Sequence, residues 1–208
     1  MNQTIAVAGT GSSAASPDLA IVEIGVEVVA RSFVAARTSA ATEMGSVLAA
    51  MRGHGLEEAN LTTTAYAINP EYDHRDGRRL RGYRVVNMVQ ARIRAIDTLG
   101  ENIDAATAGS EHVVVRDLRF VHEDDSEVAA QARQAAWTDA TAKAGQLAAL
   151  AGVDLGPVVA IAEHRAHVGG APARARAMEA AMASPIESGE LAVTINIEVE
   201  FSIGNRAG

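Results

Sequence analysis

The stretch LAVTINIEVEFSI, residues 191–203, decides the fold class of this chain. Its polar positions, such as Glu198 and Glu200, alternate with apolar ones, as in a β-strand that has one buried and one solvated face. A strand buried on both faces would instead be continuously apolar, so this strand indicates an antiparallel sheet covered on one side. The apolar positions are Leu191, Val193, Ile195, Ile197, Val199, Phe201 and Ile203.

The composition is that of a globular chain with a substantial core. The 208 residues are 48% hydrophobic, which suits a single domain spanning residues 1–208. Aromatic residues make up only 3%, so small aliphatic side chains must provide most of the packing. Scarce aromatic rings and a net charge of -8 argue against nucleic acid as a partner. The chain has no cysteine, which excludes disulfides, thiolate metal sites and thiol catalysis.

Periodicity along the chain predicts an α+β fold: a mostly antiparallel sheet with helices packed on one face. The middle of the chain has the ferredoxin-like order strand, helix, strand, strand, helix, strand. Expected helix ends are an N-cap at Asp97, a left-handed Gly109, a capping box of Asp124 with Glu127, and a stop at Gly152. The predicted strands are 4–8, 19–30, 61–68, 83–94, 113–122, 157–165 and 191–203, and the predicted helices are 32–52, 97–109 and 125–151. Phe33, Ala36, Ala40, Met44, Val47 and Met51 form the expected buried stripe of the first helix.

The N-terminal residues MNQTIAVAG lack a basic segment followed by an apolar one, and no apolar run reaches the ~18 residues of a membrane span. We therefore expect a cytoplasmic location for the chain as written. A periplasmic or other extracytoplasmic location is the alternative if a signal peptide has been removed.

Several groups of residues could suggest ligand chemistry, and each has a simpler interpretation. Gly9 and Gly11 resemble the start of a dinucleotide loop, but the third glycine position is Ala14 and a strand follows, so turn glycines are the better interpretation. His164 and His167 are candidates for a metal site, but their side chains would point to opposite faces of a strand and could not share one ion.

The remaining candidates are acidic. His122 with Glu123, Asp124 and Asp125 matches a helix N-terminus rich in carboxylates. The pairs Glu23 with Glu27 and Glu198 with Glu200 lie on polar strand faces. We therefore predict no catalytic, cofactor-binding or metal-binding residue and no cofactor.

Two segments are candidate interaction or assembly sites. The hairpin sequence HRDGRRLRGYR carries Arg75, Arg78, Arg79 and Arg81, which could dock an anionic partner or the acidic face of another subunit; a solvated loop is the alternative. Residues 171–184 place Met178 and Met182 one helical turn apart. The region at about 166–188 is therefore predicted to be a flexible or assembly segment, and covering the sheet within one subunit is the alternative.

Four stretches together resemble the SIMPL-domain, or YggE-like, family over nearly the whole chain. They are IAVAGTGSSAASPDLAIVEIGVE, NLTTTAYAINPEY followed by YRVVN, DLRFVHEDD running into EVAAQARQAAWTDATAKAGQLAALAGVDLG, and PIESGELAVTINIEVEFSIG. The resemblance implies an α+β fold and self-association. It also implies kinship with exported bacterial envelope proteins linked to oxidative stress and with an animal kinase-associated adaptor. It brings no catalytic residues.

These observations predict a non-enzymatic, self-assembling SIMPL-like protein with a stress-protective or scaffolding role, whose partner is a second copy of itself. A module that binds a small ligand or anion through the basic hairpin at 75–84 is the alternative. An uncharacterised hydrolase is the third hypothesis.

Overall fold

The computed structural model describes residues 3–73, 79–170 and 186–205. These residues form two compact units, each with its own sheet and buried core. We call residues 3–17, 122–170 and 189–205 the terminal unit, and residues 18–73, 79–121 and 186–188 the central unit. No helix in the described ranges is long and apolar enough to cross a membrane. The expectation of a single domain over 1–208 stays a prediction.

Seven strands and three α-helices follow one another within these described ranges. In chain order they are β1 (Thr4–Ala15), β2 (Leu19–Ala30), α1 (Phe33–Gly53), β3 (Leu61–Asp73), β4 (Arg79–Ile93), α2 (Leu99–Thr107), β5 (Val113–Val121), α3 (Ser126–Ala151), β6 (Val153–Gly170) and β7 (Leu191–Asn205). Short 3-10 helices at Glu58–Asn60 and Ile96–Thr98 precede β3 and α2.

The central unit has the ferredoxin-like arrangement that the sequence predicts. Its four strands lie in the order β3-β4-β2-β5, and every neighbouring pair is antiparallel. Alternate residues of β2, such as Val22 and Ile24, share a buried cluster with α1 and α2. The predicted stripe of α1 is buried at every position except Phe33. The Phe33 side chain is 45% exposed, and its ring contacts the Tyr83 ring edge-on.

The terminal unit pairs the two ends of the chain. Strand β7 lies between β1 and β6, and both pairings are antiparallel. The alternation in β7 is confirmed, since its apolar residues from Leu191 to Phe201 are buried while Glu198 is exposed. Helix α3 packs on this apolar face. The two sheets, each with helices on its apolar face, confirm the α+β class.

Several strands extend further than their sequence predicts. Strand β1 continues through a stretch rich in Gly and Ser because Thr10 and Ser12 hydrogen-bond across to Asn196 and Thr194 of β7. Strands β3 and β4 extend into the predicted loop at 69–82, where Glu71 of β3 forms an ion pair with Arg84 of β4 and Asp73 lies opposite Arg79 in the strand register. Strand β6 continues to Gly170, beyond the predicted end at 165.

Two helix ends also differ from prediction. The 3-10 turn at Ile96–Thr98 makes Thr98 the N-cap of α2 in place of Asp97, and the right-handed Ala108 caps its C-terminus in place of Gly109. The predicted capping box of α3 does not form, because the Asp124 carboxylate accepts a hydrogen bond from the Ser126 backbone N–H. The left-handed Gly152 does end α3, as predicted.

The interpretation of Gly9 and Gly11 as turn glycines is wrong, because both lie inside β1 beneath α3. A Cβ atom added at Gly9 would lie 2.2 Å from the Ala136 carbonyl oxygen, and one at Gly11 would lie 2.1 Å from the Ala132 carbonyl oxygen. Glycine is therefore required for the close approach of the helix to the strand. This packing role accounts for both glycines without a bound nucleotide.

We expect Gly11→Ala to lower the free energy of unfolding by about 3 kcal/mol, because its new methyl group meets helix backbone. Gly145→Ala is the matched control. Gly145 is exposed in α3 with open space around it, so this change should raise the free energy of unfolding by about 0.5–1 kcal/mol. Urea unfolding followed by the fluorescence of Trp137 measures the free energy of unfolding of both variants. Equal changes in that free energy for the two variants would contradict the packing role of Gly11.

Candidate interaction sites

Both members of the acidic pair on β2, Glu23 and Glu27, have polar partners on the sheet face opposite α1, and Glu27 belongs to an ion-pair network. The Arg84 guanidinium lies between the carboxylates of Glu27 and Glu71, and its Nε donates to Glu71 Oε1 at 2.9 Å. Hydrogen bonds from Arg84 to Glu71 and then to Glu27 raise the pKa of Arg84 above its ordinary value. The Glu23 carboxylate accepts a hydrogen bond from Thr64 Oγ1 at 3.0 Å.

A β-bulge completes this network. The pairing of β2 with β5 shifts between Glu23 and Ile24, which leaves Arg116 as the extra residue of β5. The Arg116 guanidinium reaches Glu27 Oε2 at 3.5 Å. With two arginines beside it, Glu27 has a structural role in the sheet.

The other acidic and histidine candidates do not form a metal site in the described part of the chain. No three His, Asp or Glu side chains in those ranges are grouped so that they could hold an ion. The hydrogen bond from Ser126 lowers the pKa of Asp124, so this carboxylate serves the start of α3. Glu198 and Glu200 line a shallow cavity of about 390 Å³ on the sheet face away from α3, flanked by alanines of β1 and β6.

The basic hairpin provides one arginine cluster at the start of β4. Arg79 and Arg81 line an open cavity of about 810 Å³ together with Arg31, Leu80 and Asp73. None of these three arginines is in an ion pair with another residue in the described ranges. Arg84 belongs instead to the network with Glu27 and Glu71. The predicted site residues Arg75, Arg78, Met178 and Met182 lie outside the described residues.

The two edges of the terminal sheet differ. At the β1 edge, α3 bonds directly to the strand: the Asp139 carboxylate accepts from the Thr10 N–H at 2.9 Å. The Lys143 ammonium donates to the Ala8 carbonyl at 3.0 Å and to Asp139 at 2.7 Å. These bonds protect the β1 edge from pairing with another strand.

The β6 edge has no neighbouring strand among residues 3–73, 79–170 and 186–205. Val159 and Ile161 of β6 are 54% and 59% exposed, and Trp137 of α3 is partly exposed on the same flank. The Trp137 ring contacts Phe201 of β7, which lies opposite Val158 of β6. One helical turn before Trp137, Arg133 forms an ion pair with Glu163 of β6. This surface, which we call the β6 edge, was not found by sequence reasoning, since periodicity does not tell an edge strand from a central one.

Comparison with known proteins identifies the family. Residues 5–201 match the SIMPL family model, which is described as a protein of unknown function (DUF541). The chain is 35% identical over 212 residues to the 26 kDa periplasmic immunogenic protein of Brucella melitensis, covering 96% of this chain and 84% of that protein. It is 29% identical over 162 residues to the uncharacterized protein YggE of Escherichia coli K12, covering 77% of this chain and 65% of that protein. The chain therefore belongs to the SIMPL family, as its sequence resemblance predicts.

The contacts of Asp139 predict a pH dependence of stability. Hydrogen bonds from Lys143 and then from the Thr10 N–H lower the pKa of Asp139, so its stabilising contribution is fully present above the unfolded pKa of about 3.9. That contribution is lost as the pH falls through the lower, folded pKa. We expect Asp139→Asn to destabilise the protein at pH 7, with the difference from the unchanged protein shrinking at pH values below about 4. Urea unfolding at several pH values measures this, and a difference constant over that range would contradict it.

Proposed function

We propose that this SIMPL protein is a non-enzymatic scaffold that assembles with copies of itself through the β6 edge. The observation that carries the proposal is the contrast between the two edges of one sheet. Side chains of α3 bond to β1, whereas an 18-residue strand with exposed apolar side chains forms the opposite edge. A long apolar edge strand is a template for pairing with another chain.

The most regular part of β6 is the part suited to pairing. Its register with β7 is interrupted between Leu155 and Ala160 and again after Ala166. Between these irregularities, residues 160–166 pair without a break, which is the length of an ordinary strand. Ile161 lies in this regular segment, so a second strand could bond the backbone while covering Ile161.

A second copy of the chain suits this edge because the same strand can serve on both sides of a two-fold axis. Two β6 strands running antiparallel would join two three-stranded sheets into one sheet of about six strands, and each would bury the other's Ile161. The family resemblance also supports self-association. The same resemblance supports a stress-protective or scaffolding role.

We also propose that the protein acts outside the cytoplasm. The Brucella relative, similar over nearly the whole chain, is described as periplasmic. The extracytoplasmic location, which was the alternative, is therefore proposed in place of the cytoplasmic one.

The experiment for assembly is the mass in solution, measured by light scattering across micromolar concentrations. We expect an oligomer, and we expect Ile161→Lys combined with Val159→Lys to shift it to smaller species, because two charges would be buried at the pairing edge. Both side chains are more than half exposed in one chain, so the change should leave the melting temperature of the dissociated chain nearly unaltered.

Val34→Lys is the matched control, since Val34 is an apolar side chain of α1 that is 64% exposed. This variant should keep the mass of the unchanged protein. A monomeric unchanged protein, or an oligomer indifferent to both lysines on β6, would overturn assembly through this edge.

Anion binding at the basic hairpin is the second candidate function, and the cavity between Arg31, Arg79 and Arg81 favours it. Three guanidinium groups around one open cavity attract phosphate or carboxylate groups through charge-assisted hydrogen bonds. This candidate is independent of the β6 edge.

For this candidate we expect Arg79→Glu with Arg81→Glu to weaken the binding of inorganic pyrophosphate at least about tenfold, because attraction is replaced by repulsion. Isothermal titration at low salt measures the affinity, and added salt should weaken binding by the unchanged protein. Arg37→Glu, an exposed change on α1, is the control for net charge. Equal losses of pyrophosphate affinity in the hairpin variant and in Arg37→Glu would show a general charge effect and no binding site at the hairpin.

A further inference from the structure

Exposed apolar side chains surround the arginine cluster at the start of β4. Leu80, which lines the cavity between the three arginines, is 46% exposed. Two residues after Arg31, helix α1 begins with Phe33 and Val34, which are 45% and 64% exposed. We call these three apolar residues, together with the arginines at 31, 79 and 81, the basic end of the central unit.

The pairing of β2 with β4 brings the members of the basic end together. Gly82 lies against Arg31, since a Cβ atom added at Gly82 would be 3.5 Å from the Arg31 Cα atom. The centroids of the Phe33 and Tyr83 rings are 5.9 Å apart. The pairing of β3 with β4 skips Arg81, which is therefore the extra residue of a β-bulge, and bulges change the direction of side chains. One end of the central unit thus presents both guanidinium groups and apolar groups.

The arginines of the basic end are not held in position by other side chains. No hydrogen bond or ion pair joins their three guanidinium groups to another residue in the described ranges. Arg84, in contrast, is held by Glu27 and Glu71. Preorganised arginines favour one ligand of fixed shape. Guanidinium groups that are not held suit phosphate groups that themselves move, as headgroups in a lipid layer do.

We propose that the basic end docks on the surface of a lipid bilayer that contains anionic phospholipids. The guanidinium groups would contact lipid phosphates, while Phe33, Val34 and Leu80 would enter the boundary between headgroups and acyl chains. Arginine suits this boundary because its stem can lie along apolar surface while its charged end reaches a phosphate. The proposal rests on the anion-binding candidate, for which it names lipid phosphate as the anion, and it does not depend on assembly through the β6 edge.

The net charge of -8 opposes binding to an anionic surface, so the range of the electrostatic forces decides whether docking occurs. At about 0.1 M salt the screening length is about 10 Å, so charges far from the contact are largely screened. The arginines of the basic end lie at the contact, where each adds about fivefold to the affinity. Asp73 is the one carboxylate among the described residues that line the cavity, so the arginines outnumber it. We therefore expect docking at ordinary salt concentrations.

The probe is a lipid vesicle of phosphatidylcholine with about one quarter phosphatidylglycerol, and a vesicle of phosphatidylcholine alone is the comparison. Co-sedimentation at about 0.1 M salt measures the affinity of the unchanged protein for each vesicle. We expect the anionic vesicle to bind at least about tenfold more strongly than the neutral one. Pyrophosphate binding is measured on the same preparation, so that the anion-binding candidate and the docking proposal can fail separately.

Two double variants separate the charges from the apolar contacts. Arg79→Gln with Arg81→Gln should lower the affinity for the anionic vesicle about twentyfold, because two contacts with lipid phosphates are lost. Val34→Ser with Leu80→Ser should lower it at least about fivefold, because these side chains no longer bury apolar area in the bilayer.

Two further variants are the matched controls. Leu150→Ser removes an apolar side chain of α3 that is 86% exposed in the terminal unit. Arg52→Gln removes a positive charge at the last turn of α1, about 28 Å along the helix from Phe33, and the exposed ion pair of Arg52 with Glu58 contributes little to stability. Both controls should keep the affinity for the anionic vesicle within about twofold of the unchanged protein.

Three results would overturn the proposal. The first is equal binding of the unchanged protein to the anionic and neutral vesicles. The second is an affinity that Val34→Ser with Leu80→Ser leaves unchanged, since this would be adsorption by charge alone. The third is no binding to either vesicle; pyrophosphate binding would then still support the anion-binding candidate, with a soluble anion or an acidic protein as its partner. The two vesicles are compared on the unchanged protein, so the test stands even if a variant fails to fold.

Discussion

The close approach of α3 to strand β1 sets the geometry of the terminal unit. Ala132, Ala136 and Ala140 are fully buried in α3, and Gly9 and Gly11 leave room beneath them. With so few large side chains between helix and sheet, α3 packs mainly over β1 and β7. Its Asp139 and Lys143 therefore reach the backbone of β1, and β6 lies at the far side of the sheet from these contacts. The exposed β6 edge thus follows from the same packing that places the helix.

Charged residues have two distinct roles in the central unit. Arg84 and Arg116 form ion pairs within the sheet, where they neutralise Glu27 and join four strands through their side chains. Arg31, Arg79 and Arg81 surround an open cavity a few residues away. The described arginines of the hairpin, which form one basic run in the sequence, are therefore divided by the structure into Arg84, which forms ion pairs within the sheet, and Arg79 and Arg81, which line the cavity.

Much of the fold could be predicted because it depends on local periodicity. Alternation with a period of two located β2 and β7, and apolar steps of three and four located α1. The acidic run before an Ala-rich stretch and the closing Gly152 located α3, and all four elements were placed to within a residue or two. The extended hairpin and the long β1 could not be predicted in this way. The polar residues of β1, such as Thr10, are typical of turns and are held in the strand by partners nearly 190 residues away in the chain. Those of the hairpin, such as Glu71, are held by an ion pair with the adjacent strand.

The candidate sites divide similarly. The arginines at 79 and 81 were visible as a run of like charge, whereas Arg31 joins them only through pairing of β2 with β4. The amphipathic pattern of the sequence by itself indicated the α+β class and the ferredoxin-like order, and the resemblance of four stretches to known sequences indicated the family. Tertiary structure alone decided how the strands of the described residues divide between two sheets, and which strand edge and which buried oxygen, Asn102 Oδ1, have no partner within those residues. The physical reason is that hydrophobic periodicity is encoded by near neighbours, while strand pairing and burial depend on residues that are distant along the chain.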